Sequence, residues 1–357
     1  MRILFTACPM VGHVNTLLPL ALAARRAGHT VVFATGSDLG DRVEQAGLTA
    51  WSVGPTFAEA GWPPRSPLDF VTAADKRCVD LLPRAERFRP DLVVFEETEP
   101  AGAVVALRCG AGMIRHGLGI AAGGAGDGTE GGLGAFAPIL DDFGARWQAA
   151  DLAARVQDAP YLSVCPPSLA PAARPTVRRL RPAFAPPAPG DTLPAALERL
   201  PHGQTVHLTL GTVFGTGAVL AAALRGLREL PVNVVVTTGS ATLPAQPRHV
   251  VVAPYLCHTL LLPRCDVVVS QGGAGILLGA LAHGLPQLVL PQAADQPANA
   301  AAVARAGAGL ALPTVTAEGV RAAAERLLAD PVYAVRARGI QAEIAAMPDA
   351  DAVVSQL

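Results

Sequence analysis

Val267-Val268-Val269-Ser270-Gln271-Gly272-Gly273-Ala274-Gly275-Ile276 reads as a short β-branched strand that runs through a glycine turn into a helix. Successive valines favour a strand buried on both faces, as in a parallel sheet. Gly272, Gly273 and Gly275 permit a tight turn and a close approach of backbone to a ligand. The run Ala274–Ala282 has helical spacing, so its first N–H groups and its positive dipole end face the turn. That geometry suits a diphosphate. Taken alone, the same glycines also fit a turn that binds nothing.

The flanking sequence repeats the strand–helix alternation. Downstream, Gln287–Leu290 is a strand and Pro297–Ala306 a helix, joined by Pro291-Gln292-Ala293-Ala294-Asp295-Gln296. A carboxylate beside an amide at a strand end suits sugar hydroxyls, and Asp295 is equally fit to cap the helix. Upstream come strand Val206–Leu210, helix Ala218–Glu229 and strands Val232–Thr237, Val250–Val252 and Asp266–Ser270. Thr212 follows the first of these, placed to touch a phosphate or to cap a turn. Tyr255, Leu256 and His258 offer a face and a backbone edge to a flat base.

The N-terminal half starts in the same way. Arg2–Ala7 is a strand, Pro9–Asn15 a loop, Thr16–Ala27 a helix ended by Gly28-His29, and Thr30–Ala34 a second strand. Asp91–Phe95 is a third strand and Ala101–Cys109 a helix. Pro55–Leu68 reads as a surface loop and the glycine-rich stretch 117–134 as a mobile one. Strands alternating with helices predict parallel sheets with right-handed crossovers. A proline-rich middle places a linker at 186–203, between a first domain over 1–185 and a second over 204–340. Residues 341–357 are expected to form a C-terminal helix that packs back on the first domain. The fold class is α/β: two Rossmann-like, doubly wound parallel-sheet domains facing across a cleft.

Composition narrows the function. The chain has 357 residues, 51% hydrophobic and 16% charged, which is enough for two large cores. A net charge of −1 with no Lys/Arg run argues against a nucleic-acid partner. No run of about 18 apolar residues argues against a membrane span, and the opening residues lack the layout of a signal peptide, so the expected location is the cytoplasm. The six cysteines form no CxxC and read as buried small hydrophobes. With no HExxH and no tight His/Asp/Glu cluster, no metal site is expected.

Two stretches together carry a family resemblance. Gly12-His13-Val14-Asn15-Thr16-Leu17-Leu18-Pro19-Leu20-Ala21, and Gln271-Gly272-Gly273-Ala274-Gly275 followed by Pro286 and Asp295-Gln296-Pro297-Ala298-Asn299-Ala300, resemble motifs of the GT-B nucleotide-diphospho-sugar glycosyltransferases. The likeness is greatest to the bacterial enzymes that glycosylate macrolides, aromatic polyketides and other antibiotics. It implies inverting transfer of a hexosyl group from a dTDP- or UDP-sugar to a hydroxyl of a small hydrophobic acceptor. The nucleotide sugar is a co-substrate, so no cofactor is implied, and no DxD pair is placed to hold a metal under the diphosphate. Gln271 stands where the family more often has His, Ile276 where it often has Thr or Ser, and the N-terminal half is short.

The resemblance implies donor contacts from Thr212, Tyr255, Leu256, His258, Gln271, Gly272, Gly273, Ala274, Gly275, Asp295 and Gln296. On the acceptor side stand Asn15, Trp62, Glu96, Glu99 and His116. His13 is the expected general base on the acceptor hydroxyl; without the resemblance a capping or packing histidine is the plainer reading. Its carboxylate partner is sought in Phe95-Glu96-Glu97-Thr98-Glu99, where all three glutamates are candidates. Glu97 is preferred, because Glu96 still belongs to the strand. Two readings compete: a GT-B sugar-nucleotide epimerase, and a non-catalytic GT-B helper of another glycosyltransferase. A nicotinamide dehydrogenase is disfavoured because no GxGxxG follows the first strand. The sequence leaves open whether two copies form a homodimer.

Overall fold

The computed structural model describes residues 1–64, 66–120, 130, 133, 136–170, 172–184, 187, 190–211, 217–239 and 241–357. The expected mobile loop at 117–134 lies largely outside these residues. The chain divides into two compact units. One comprises Met1–Cys165, Ala170–Ala185 and Met347–Leu357, and the other Pro166–Leu169 with Pro186–Ala346.

The first unit is built on seven parallel strands: β1 (Arg2–Thr6), β2 (Thr30–Thr35), β3 (Thr49–Ser52), β4 (Leu92–Glu96), β5 (Gly112–His116), β6 (Tyr161–Ser163) and β7 (Val177–Arg179). They lie in the order β3-β2-β1-β4-β5-β6-β7. The helices are α1 (Val11–Arg26), α2 (Gly40–Gln45), α3 (Pro67–Phe88), α4 (Ala101–Cys109), α5 (Ala137–Arg146) and α6 (Leu152–Asp158). Central strand β4 is Leu-Val-Val-Phe-Glu and buried throughout, as a strand covered on both faces should be. Leu4, Val93 and Phe95 pack with Cys78, Leu81, Val104, Phe143 and Leu152 of the helices on one face. The strand order reverses between β1 and β4, so a crevice for ligands opens at their carboxyl ends.

α1 starts five residues earlier than its Leu and Ala spacing predicts. Met10 is extended and the helix begins at Val11, so His13 sits in the first helical turn and not in a loop. The physical reason is burial: Val14, Leu17, Leu18 and Ala21 recur at helical spacing on the inward face. The 22-residue helix α3 is absent from the sequence reading. Asp69 accepts from the Ser66 N–H at 2.9 Å and fixes its start.

The second unit has six parallel strands: β8 (Thr205–Thr209), β9 (Asn233–Thr237), β10 (Val250–Ala253), β11 (Val267–Ser270), β12 (Gln287–Val289) and β13 (Gly309–Ala311). Their order is β10-β9-β8-β11-β12-β13, which again reverses next to the first strand. The helices are α7 (Gly217–Leu227), α8 (His258–Leu261), α9 (Ala274–Ala282), α10 (Gln296–Arg305), α11 (Ala317–Ala329) and α12 (Pro331–Ala346). Val206, Leu208, Val234, Val236, Val267, Val269 and Leu288 form the core with Leu220, Leu224 and Val320.

The last helix, α13 (Ala350–Val354), belongs to the first unit. Val353 and Val354 are buried, and α13 packs on α1. Arg181 N–H donates to Pro348 O at 2.7 Å. Among the described residues no helix is long and apolar enough to cross a membrane.

Candidate active site

Two sets of groups stand at the two strand-order reversals. In the first unit, β1 delivers the chain to α1 and thus His13, while β4 ends on Glu96. His13 Nδ1 lies 2.9 Å from Glu96 Oε1. The histidine side chain keeps 17% of its surface exposed, whereas Glu96 is fully buried. Glu96 is held from several sides. Cys8 N–H donates to Oε1 at 3.3 Å, Thr98 N–H donates to Oε2 at 2.7 Å, and the Thr98 hydroxyl lies 2.9 and 2.8 Å from the two oxygens. Burial alone would raise the pKa of this carboxyl. The charge and hydrogen bond of His13, together with the Thr98 N–H, outweigh burial and hold it down to about 2. An ionised Glu96 accepts a hydrogen bond from the Nδ1–H of His13, which leaves Nε2 as the proton acceptor.

The carboxylate next to His13 is therefore Glu96, a correction to the preference for Glu97. Successive strand residues point to opposite faces. Because Glu96 is the last residue of β4, its side chain is fixed toward α1 and Glu97 points the other way. Glu97 accepts from Leu118 N–H at 2.7 Å and from the Tyr161 hydroxyl at 3.0 Å. Burial pushes it up to about 7, against the pull of those donors and of Arg115.

Two expected acceptor contacts are interior and are likewise corrected. Glu99 is fully buried, 2.9 Å from Arg77 Nη1, and accepts from Gly102 N–H at 3.0 Å. It ties α3 to the start of α4. His116 is fully buried in β5, with Nδ1 2.7 Å from Gly117 O, and burial pulls its pKa down to about 4. Asn15 is partly exposed one turn after Val11, and its Oδ1 accepts from Arg42 Nε at 2.6 Å. Trp62 packs into a small cluster with Cys8, Ala73, Phe57 and Phe70. Phe70 connects that cluster to the dyad: its ring stacks on His13 at 6.4 Å and meets Trp62 at 5.5 Å and Phe136 at 5.9 Å. Beside Thr98 a pocket is lined by Phe95, Glu97, Arg115, Phe136 and Leu140. The sequence placed neither Phe70 nor Thr98 in the site, and Cys8 read only as a buried small hydrophobe. For Thr98 a signal existed, since it sits inside the acidic cluster; Phe70 lies on the unread helix α3.

In the second unit, Gly272 has φ +85° and a Cβ there would strike Val289 Cγ1, so only glycine fits. Its N–H donates to Ser270 Oγ at 3.1 Å. That bond engages the Gly272 amide within the turn itself. The amides at the α9 N-terminus, from Gly273, Ala274 and Gly275, remain for an anion. Gly275 is exposed. Gln271 lies against Gly211, where a Cβ would collide with its amide nitrogen.

Asp295 immediately precedes α10 and accepts from Asn299 Nδ2 at 2.8 Å; the same nitrogen reaches Gly272 O at 2.9 Å. Asn299 thereby links the two loops, a role absent from the sequence reading. Gln296 Oε1 accepts from Gln292 N–H at 2.8 Å and Ala293 N–H at 3.1 Å, and so shapes its own loop. Tyr255 is exposed and Leu256 is part of the core. His258 Nε2 lies 3.3 Å from His207 Nε2, and burial lowers the pKa of both. Thr212 lies outside the described residues.

The comparisons agree with this architecture. Residues 218–357 match the family model of the erythromycin biosynthesis protein CIII-like C-terminal domain. The L-demethylnoviosyl transferase of Streptomyces niveus is 32% identical over 98% of this chain and 100% of its own length. The elloramycin glycosyltransferase ElmGT of Streptomyces olivaceus is 30% identical over 100% of this chain and 97% of its own. Among solved structures, the Streptomyces sp. SF2575 glycosyltransferase SsfS6 complexed with thymidine diphosphate is 28% identical with a TM-score of 0.82, covering 100% of this chain and 99% of that one. Sequence likeness along the whole length and two reversing parallel sheets lead to one conclusion: this chain belongs to the GT-B glycosyltransferases of antibiotic biosynthesis.

Proposed function

We propose that this glycosyltransferase moves a sugar from a dTDP- or UDP-linked donor to a hydroxyl of a small hydrophobic natural product, with inversion at the anomeric carbon and without a metal. The observation that carries the reading is the 2.9 Å contact between His13 Nδ1 and buried Glu96. His13 Nε2 takes the acceptor proton as the oxygen attacks, and the Glu96 carboxylate fixes the tautomer and stabilises the imidazolium that results. The anomeric carbon passes through oxocarbenium character in a single displacement. The leaving diphosphate is stabilised by the Gly273, Ala274 and Gly275 amides and the α9 dipole, with Asp295 and Gln296 on the sugar. Thymidine diphosphate in the SsfS6 structure supports a dTDP donor. The rings of Trp62, Phe70 and Phe136 near His13 suit an apolar acceptor.

The test is a panel of dTDP- and UDP-sugars against hydroxylated aglycones, with the product's anomeric configuration read by NMR. Inverted O-glycoside formed in the presence of a chelator is the expected result. A retained configuration would rule out direct displacement, and a product on nitrogen or carbon would rule out the hydroxyl acceptor.

A further inference from the structure

Cys8, two residues past β1, brings a thiol to the same corner as His13 and Glu96. Its Sγ, a carboxylate oxygen of Glu96 and a ring nitrogen of His13 all lie within 4.8 Å of one another. We propose that these three side chains form a site for a borderline-soft divalent cation, Zn2+ foremost, and that its occupancy switches the enzyme off.

The donor set argues for the metal. Thiolate, imidazole and carboxylate are the three zinc ligands of proteins, with bonds of about 2.0–2.3 Å, so tetrahedral neighbours sit roughly 3.3–3.7 Å apart. The His13–Glu96 pair at 2.9 Å has to open slightly and the thiol, within 4.8 Å of both, has to close by at most about 1.5 Å. Side-chain rotation suffices for both. Thr98 Oγ1 lies 3.5 Å from His13 Nδ1 and 4.0 Å from Cys8 Sγ, at the fourth corner, where it or a water completes the shell. The partly exposed histidine is the route of entry. Mg2+ and Ca2+ prefer all-oxygen shells and are not served by a thiol. The competing role for Cys8 is that of a small buried hydrophobe beside Trp62 and Ala73.

A cation here binds the Nδ1 lone pair and the Glu96 oxygen; the ring proton moves to Nε2 and the Cys8 thiol proton leaves to solvent, so Nε2 can no longer accept the proton of an acceptor hydroxyl. Binding requires only the three ligands. Inhibition rests in addition on the proposed role of His13 as base. The metal is thus an inhibitor of a transferase that needs none.

The experiment uses the metal-stripped full-length protein titrated with Co2+. A thiolate-to-Co2+ charge-transfer band is expected at one equivalent, displaced by Zn2+, retained in Cys109→Ser and lost in Cys8→Ser. Zn2+ is expected to inhibit turnover reversibly, with at least a tenfold higher concentration needed in Cys8→Ser. No band, or a band that survives Cys8→Ser, overturns the site. A band with undiminished turnover in saturating Zn2+ overturns the switch, and the reading of His13 as base with it. Should Cys8→Ser not fold, His13→Ala keeps the thiol; a Co2+ affinity that falls less than tenfold there also overturns the site.

Discussion

The last residue of β4 and the one after it carry carboxyl groups whose pKa values are driven in opposite directions. Glu96 is held down to about 2 and Glu97 is pushed up to about 7. Their substitution by glutamine should separate their roles. Glu96→Gln leaves the imidazole without an anionic partner and is expected to cost turnover about 100- to 10,000-fold, from the range of general base catalysis up to the scale seen when a histidine base loses its orienting carboxylate. Glu97→Gln is expected to leave turnover within several-fold. Its effect should appear in stability against pH. A carboxyl whose folded pKa lies above the ordinary 4.5 holds more protons folded than unfolded, so the protein loses stability as pH rises from about 4.5 to 7. Glu97→Gln should flatten that slope, worth up to about 3 kcal/mol for this one group. Urea unfolding at pH 5 and pH 8 measures it. Equal turnover losses in the two variants would return Glu97 to the candidate pair. His13→Ala is expected to lower turnover on an alkyl alcohol acceptor by roughly 100- to 10,000-fold, with dTDP affinity unchanged. Collapse of that affinity would show that His13 holds the fold or the donor.

At the scale of elements, the turn from β11 into α9 admits one residue type at its bend. Gly272→Ala adds a Cβ at φ +85° against Val289 and is expected to cost about 1–3 kcal/mol and to weaken dTDP binding. Calorimetry on the variant checks both. The strands and most helices were legible because parallel strands buried on two faces write themselves as valine runs, and Ala101–Cys109 and Ala274–Ala282 end where the sequence predicts. The start of α1 was hidden by Pro9 and Gly12, which look like loop, while tertiary burial of Val14 and Leu17 extends the helix back through Gly12 to Val11. The choice between Glu96 and Glu97 turns on a period of two, and a one-residue uncertainty in where β4 ends reverses the face. Interior pairs such as Arg77 with Glu99 connect residues 22 apart and leave no local trace in sequence. Removing that partner, as in Glu99→Ala, leaves a buried guanidinium uncompensated and should destabilise by about 3–5 kcal/mol, read as a shift in the denaturation midpoint.

For the whole molecule, a nucleotide bound only by the native state stabilises it in proportion to the logarithm of its concentration, by about 2.7 kcal/mol at 100 times Kd, and so raises the melting temperature. dTDP is expected to do so and GDP to do so far less. EDTA is expected to leave turnover intact. Full loss in EDTA, restored by Mg2+ or Mn2+, would overturn the metal-free displacement.

The chain's path also bears on how the protein can be cut. Residues 347–357 return to the first unit, where Val353 and Val354 cover α1 and Pro348 meets Arg181. The second unit is thus spliced into the first as an insert, and a gene fragment ending near residue 185 encodes a body missing its closing piece. Such a fragment should aggregate on expression. Rejoining residue 185 to residue 347 through a short Gly/Ser bridge should rescue it as a soluble scaffold onto which foreign second units can be grafted.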